Sequence, residues 1–229
     1  MSIGEKFELI ADEVYEVGKA EENRAWWDAL LCSTSEAKFE HRFKHIDFDK
    51  IGGFNPPYVL KPIHAGYMFQ SSTITKLTEK EVDFSGCNSA SYLFQYCSKL
   101  TEVTGLDLSK SYTVGYAFNQ IPNLHTLEVT FGENCQGEYA FWQLPKLENL
   151  TVGGVIKFTA TLQHSKLLTA KSIGSVVSAL SDSTTGNKIT FSTAAKTTYF
   201  NAHSSEYASA DEAWNALCAT KSNWTISLV

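Results

Sequence analysis

The chain repeats itself. Tyr67-Met68-Phe69, Tyr92-Leu93-Phe94, Tyr116-Ala117-Phe118 and Tyr139-Ala140-Phe141 open four related stretches. The phenylalanines are separated by 25, 24 and 23 residues. Behind each aromatic pair comes a bend, fixed in two copies by Pro122 and Pro145. An alternating apolar segment follows: Leu124, Leu127, Val129 in one copy and Leu147, Leu150, Val152 in the next. Alternation of that kind makes a half-buried strand. A second pair of matching segments, Val82-Asp83-Phe84-Ser85 and Leu106-Asp107-Leu108-Ser109, predicts a short return strand in each turn. A unit of this size cannot bury its apolar edge alone, so the copies must stack.

The expected fold class is α+β: a leucine-rich-repeat solenoid of about four to five turns of 21–25 residues, with an N-terminal helix and an α/β C-terminal cap. The expected divisions are residues 1–61 for the helix and connector, 62–168 for the solenoid and 169–229 for the cap. Ile156, Phe158, Leu162 and Leu167 make a degenerate fifth turn, and Ala37 to His45 a short helix. In the cap, helices are expected over Ala170–Leu180, Thr193–Phe200 with Ser192 as N-cap, and Asp211–Thr220. Strands are expected at Lys188–Phe191 and Trp224–Leu228.

Composition narrows the function classes. A net charge of −6 without any run of Lys or Arg gives no nucleic-acid footprint. Five cysteines, none spaced C-x-x-C, argue against a disulfide framework and a zinc site. Cys97 stands where later copies carry Ile121 and Leu144, so it is expected to be a small buried apolar residue. No apolar run reaches membrane-spanning length, and no signal peptide is visible, so membrane insertion and independent export are not expected. His41 and His45 flank Arg-Phe-Lys rather than a metalloprotease pattern. Asp83 and Asp107 fall one repeat apart with no third Asp, since Gly132-Glu133-Asn134 stands there, which suits solvated side chains better than a calcium-binding ladder or a catalytic pair. No catalytic, metal or cofactor residues are expected, and the chain is expected not to be an enzyme.

The unit Tyr-x-Phe-x-x-Cys-x-x-Leu-x-x-Val, best kept from Tyr92 to Val103, resembles the BspA-like (Treponema-type) leucine-rich repeats of bacterial surface proteins. The opening "LIADEVYEVGKAEENRAWWDAL", the stretch "FNPPYVLKPIHAGYMF" and the tail from Leu167 onward resemble small leucine-rich proteins of phages and prophages of gut Firmicutes. The resemblance implies a non-enzymatic protein-interaction or structural module: a phage or prophage structural accessory, or a bacterial adhesin-like protein. It implies a protein or glycan partner on a cell or virion surface, and a virion-associated or cytoplasmic location.

Solenoids use the regular outward face of their strands for partners. By register the candidates are Lys76, Glu102, Thr126 and Asn149 in one row, and Thr78, Thr104, Glu128 and Thr151 in the next. The alternative is a carbohydrate-binding module using Tyr67, Tyr92, Tyr116, Tyr139 and Trp142, and exposure of those rings discriminates the two. A homo-oligomer is a further expectation. Ile3, Phe7, Ile10, Val14 and Val17 step by 4, 3, 4, 3 and form a short heptad seam on the N-terminal helix. Burying each such side chain contributes ~1.5–3 kcal/mol, which favours self-association over exposure. Light scattering of the full chain is expected to show concentration-dependent oligomers, and a chain beginning at Glu21 to be smaller. Equal monomers from both would place the seam inside one chain.

Overall fold

The computed structural model describes residues 39–229. The expected N-terminal helix, its expected seam and Cys32 lie outside the described residues. The alternating apolar segments form strands β1 (Lys76–Leu77), β2 (Glu102–Leu108), β3 (Thr126–Phe131) and β4 (Asn149–Gly154). They pair in chain order as one parallel sheet. Val103, Leu127, Leu150 and Val129 point into the core, while their neighbours face outward. Glu102 pairs with Thr126 and Val103 with Leu127, an offset of 24, but Leu106 pairs with Val129, an offset of 23. One extra residue is therefore accommodated in β2, at a bulge over Thr104-Gly105. Gly105 takes φ +64°, a left-handed value that glycine adopts without steric cost.

The aromatic segments form a second ladder, in which each Tyr-x-Phe segment is one rung. The N–H groups of Tyr92, Phe94 and Tyr96 donate to the carbonyls of Gly115, Ala117 and Asn119 on the next rung. Tyr116, Phe118 and Gln120 donate in the same way to Glu138, Ala140 and Trp142. Each rung holds two non-glycine residues at positive φ, four positions apart: Tyr67 and Ser71, Tyr92 and Tyr96, Tyr116 and Gln120, Tyr139 and Gln143. The pattern starts earlier than the sequence suggests. His41 and His45 carry the same positive φ, and the N–H groups of His41, Phe43 and His45 donate to Gly66, Met68 and Gln70. Residues 39–45 are thus a rung and not the expected helix; a short 3₁₀ turn, Phe48–Ile51, follows.

Stacking makes the rings into columns. Phe43, Phe69, Phe94, Phe118 and Phe141 stack at centroid distances of 5.3, 5.4, 6.1 and 5.8 Å, and all are buried. Beside them runs a buried amide column: Gln70 Nε2 donates to Gln95 Oε1 at 2.6 Å, and Gln95 Nε2 to Asn119 Oδ1 at 3.3 Å. Low-dielectric surroundings make such a chain strong when satisfied and costly when broken.

The C-terminal part is a second parallel sheet. Strand β5 (Ala160–Leu162) pairs with β6 (Lys188–Phe191), and β6 with β7 (Thr225–Leu228). Helices α1 (Ala170–Ala179), α2 (Ala194–Ala202) and α3 (Ala210–Ala219) supply the crossovers. The expected α+β leucine-rich-repeat solenoid is corrected on this evidence: the structure is α/β, with parallel sheets of four and three strands and three helices. The strand of the expected fifth turn pairs with β6 instead of extending the first sheet. Hydrophobic alternation specifies which face of a strand is buried, but not which strand it pairs with. Among the described residues no helix is long and apolar enough to cross a membrane.

Smaller expectations are corrected too. Val82 makes only an isolated bridge to Leu60, and Leu106–Leu108 is the end of β2, so there is no repeated return strand among the described residues. Asp83 and Asp107 instead accept from the N–H groups of Ser85 and Ser109, closing equivalent Asx turns. Leu167 is exposed, and Leu168 takes the buried position. Thr193, not Ser192, precedes α2, and the Ser192 hydroxyl is buried without a hydrogen-bond partner among the described residues.

The free edge of β4 is covered by α1. Thr169 caps the helix by accepting from Ser172 N. Ser172 Oγ and Ser175 Oγ then accept from the strand N–H groups of Leu150 and Val152, each at 2.9 Å. Edge donors that would template another strand end on helix side chains.

Two mutations test this architecture. Phe118→Ala is expected to cost ~3–5 kcal/mol as a large-to-small core change, read as a lowered denaturant midpoint; a parent-like midpoint would contradict the stacked register. At Gln143, φ 59° and exposed, Gly is expected to be tolerated, whereas Val is expected to destabilise by about 1–2 kcal/mol because a β-branched residue resists the left-handed region.

Candidate functional site

Two surfaces present repeated side chains. The first is the outer face of the four-stranded sheet. Lys76, Glu102, Thr126 and Asn149 are adjacent in register across all four strands. Lys76 Nζ lies 2.8 Å from Glu102 Oε2, both groups well exposed, so this ion pair adds little stability but fixes where charge is shown. The second row is only half formed. Glu128 and Thr151 pair, but Thr104 lies in the bulge of β2. Thr78 lies past the end of β1, with its N–H and hydroxyl both donating to Glu81 Oε2 at 2.8 and 2.7 Å. Glu128 Oε2 in turn accepts from Gly105 N at 3.4 Å.

The second surface follows the tyrosines. Tyr67, Tyr92 and Tyr116 stack at 4.5 and 4.9 Å with interplanar angles of 5° and 1°. His41 extends the column at one end, 4.5 Å from Tyr67, and Tyr139 at the other, 5.2 Å from Tyr116 and tilted by 31°. Trp142 abuts Tyr139 edge-on at 5.9 Å and His164 at 4.8 Å. Tyr67, Tyr92, Tyr116 and Trp142 are half-buried, and His41 and Tyr139, at the two ends, are exposed. Ring faces cover one another; edges and hydroxyls are what remain for a ligand. Burial, with its neighbouring tyrosines and Glu138, raises the Tyr92 hydroxyl above the usual phenol range, and burial and then Glu138 raise Tyr116. Both hydroxyls therefore stay protonated donors at neutral pH.

Tyr92, Tyr116 and Tyr139 line a groove of about 660 Å³, whose other wall is formed by Phe158–Thr161, Asn187 and Thr190 of the second sheet region. Its floor carries Ser91 and Thr113, whose hydroxyls hydrogen-bond at 2.8 Å, and Gln136 and Glu138. Sequence reasoning found the tyrosines and missed the rest. A signal was present: His64, Ser89, Thr113 and Gln136 form a column of parallel bridges at the spacing of the phenylalanines. That column is polar at every position, and marks a solvated flank. The opposite wall comes from a segment outside the repeat and has no periodic signature.

Groups with reactive potential are occupied structurally. Cys87, Cys97 and Cys135 are free and buried. Cys97 Sγ donates to Phe69 O at 2.9 Å and lies 3.8 Å from Ser72 Oγ. Hydrogen bonding by Ser85 holds the Asp83 carboxyl below its ordinary value, assisted by Lys61 at 3.6 Å. Among the described residues no three His, Cys, Asp or Glu side chains are grouped to hold a metal ion.

Comparison of the chain with protein-family models, with curated proteins and with solved structures finds no match.

The Cys97 thiol gives a pH-dependent prediction. Burial pushes it up to about 12, whereas an unfolded thiol ionises near ~8.5. Its contribution to stability is intact below the unfolded value and is lost as pH rises from there towards about 12. Urea midpoints of the parent and Cys97→Ala are therefore expected to converge as pH is raised from neutral to strongly alkaline. A thiol reagent at neutral pH is expected to label Cys97 only after unfolding. Rapid labelling of Cys97 in the folded chain would contradict its burial.

Proposed function

We propose that this chain is a non-enzymatic interaction or structural module whose outer sheet face engages a protein partner. The observation that supports the reading is the register of Lys76, Glu102, Thr126 and Asn149, one side chain per strand across a four-stranded parallel sheet. Successive strands of a sheet lie ~4.7–4.9 Å apart, so the row is a straight, evenly spaced line of one cation, one anion and two uncharged hydrogen-bonding groups. The strands beneath are held by pairing across the sheet, interrupted at the bulge of β2, which lowers the ordering cost of presenting those groups.

The resemblance of the repeat unit and flanking stretches to BspA-like repeat proteins and to leucine-rich proteins of Firmicutes phages and prophages supports reading the module as a virion or prophage structural accessory, or as an adhesin-like protein. In this reading it works in association with a virion or in the cytoplasm. The partner is a protein on a virion or cell surface, and the chain uses no cofactor.

Site-specific photocrosslinkers test the face. Placed at Thr126, Glu128 and Asn149 in producing cells, they are expected to yield one common protein adduct. A reagent at Lys146, off the strands, is expected to give none. The double charge reversal Lys76→Glu/Glu102→Lys preserves the surface pair but reverses its order, and is expected to reduce adduct yield about tenfold, the size of effect that misplaced interfacial charges produce. Adducts that form equally at Lys146, or that ignore the reversal, would remove the sheet face as the contact surface.

A further inference from the structure

The rung ladder stops abruptly. In each earlier rung the alternate N–H groups donate to carbonyls of the rung that follows. Gly137, Tyr139, Phe141 and Gln143 occupy those positions in the last rung, and among the described residues their N–H groups have no acceptor. No further rung receives them, because the next segment turns away to pair β5 with β6. Gly137 also lacks a side chain where one would strike the Phe158 ring: an added Cβ would meet its Cε2 at 2.4 Å. Open donors and an aromatic wall thus meet at one end of the groove, and Gly137 and Tyr139 line it. The covered edge of β4 shows the contrast, since there Ser172 and Ser175 satisfy the strand donors.

We propose that this groove is a binding site for a linear, uncharged oligosaccharide lying along Tyr92, Tyr116 and Tyr139. This site is on a different surface from the sheet face and does not depend on the protein-partner reading. Three observations favour a neutral glycan. The lining is rich in hydroxyls and amides, including Thr113, Thr159, Thr190, Gln136 and Asn187, which can donate or accept as a polyol requires. Charge is sparse: the Lys157 ammonium already pairs with Glu133, and Glu138 is an acceptor that repels anionic chains. The spacing also fits. The tyrosine ring centroids recur at steps of 4.9 and 5.2 Å, close to the advance per sugar of an extended pyranose chain. An extended peptide advances ~3.2–3.4 Å per residue and loses register within a few rungs. The ring faces are covered by stacking, so the sugar is held by tyrosine edges, by Glu138 and by the open N–H groups of Gly137 and Tyr139. Face-on aromatic stacking is not used.

The test uses the full chain. Cellohexaose, mannohexaose and an N-acetylglucosamine hexamer are titrated by calorimetry, with ring fluorescence as a second readout. Saturable binding of at least one is expected. The triple variant Tyr92→Phe/Tyr116→Phe/Tyr139→Phe keeps the stacked rings and removes only the hydroxyls, and Glu138→Gln removes the carboxylate charge. Each is expected to weaken binding about tenfold with the melting temperature unchanged. Lys76→Ala/Asn149→Ala, on the sheet face, is expected to leave sugar binding intact, so failure of one surface is distinguishable from failure of the other. No saturable binding of any of the three sugars overturns the proposal, as does binding that ignores both groove variants. Tighter groove-dependent binding of an alternating Thr-Val octapeptide also overturns it, by showing that the open donors take a strand.

Discussion

The inter-rung hydrogen bonds are the interaction on which the rest of the structure depends. Ten non-glycine residues from His41 to Gln143 sit at φ between 52° and 62°, a region that costs an L-residue roughly 1–2 kcal/mol. Only a partner that over-determines the backbone can hold so many. Each rung is that partner for its neighbour, because the left-handed positions aim successive N–H groups along the stacking direction onto waiting carbonyls. Isolated, a rung would relax; stacked, it is locked. The phenylalanine and amide columns follow from the same geometry, since identical backbones place identical side chains one above another. Cooperativity is therefore built in along the stack, with local strain in one rung offset by bonds to the next.

A repeated ladder creates a problem at its ends, and the two ladders here solve it differently. The sheet ends on β4, where helix serines accept the strand donors. A helix can do this because Ser172 and Ser175, three apart, share one face. The rung ladder ends at Tyr139–Gln143 with its donors unanswered by described residues. Buried or half-buried N–H groups without an acceptor are costly, so solvent or a ligand must supply one. The same turn-away of the chain that leaves them open also builds the facing wall from Phe158 to Thr161. Concavity and unsatisfied polarity therefore share a single cause, the exchange of a sixth rung for β5.

How much was legible follows from what a period encodes. Phe94, Phe118 and Phe141 declared their burial through their spacing, and the row Lys76, Glu102, Thr126, Asn149 was countable because strands alternate strictly. The rung at 39–45 escaped notice because His41 replaces the tyrosine and Lys44 the amide, although Phe43 kept its place. Stacking needs a flat ring, not a phenol, so the structure reads His41 as equivalent where a letter pattern does not. The bulge at Gly105 hid for another reason. It costs one residue in the offset, and a repeat already drifting from 25 to 23 residues conceals such a step. The fold class was misassigned because pairing of β5 with β6 is a long-range choice. Its strand has the same alternation whichever neighbour it takes.

The tyrosine column shows why position in a repeat is not enough to assign a role. Tyr and Phe alternate within one rung, yet one faces the core and the other the solvent, two residues apart on a backbone whose φ changes sign between them. On the core side the stacked faces exclude water and the column contributes burial. On the outer side the same stacking removes the ring faces from use and leaves a line of ring edges and hydroxyls, one per rung. A free tyrosine can rotate to meet a ligand, at an entropic cost. Here Tyr92, clamped between Tyr67 and Tyr116, has already lost that freedom on folding. Any partner that matches the step meets groups in place and bears little of that cost; one that does not match cannot recruit them by induced movement. The stack thus converts a folding requirement into a spacing rule for recognition, set by the distance between rungs and not by any single side chain.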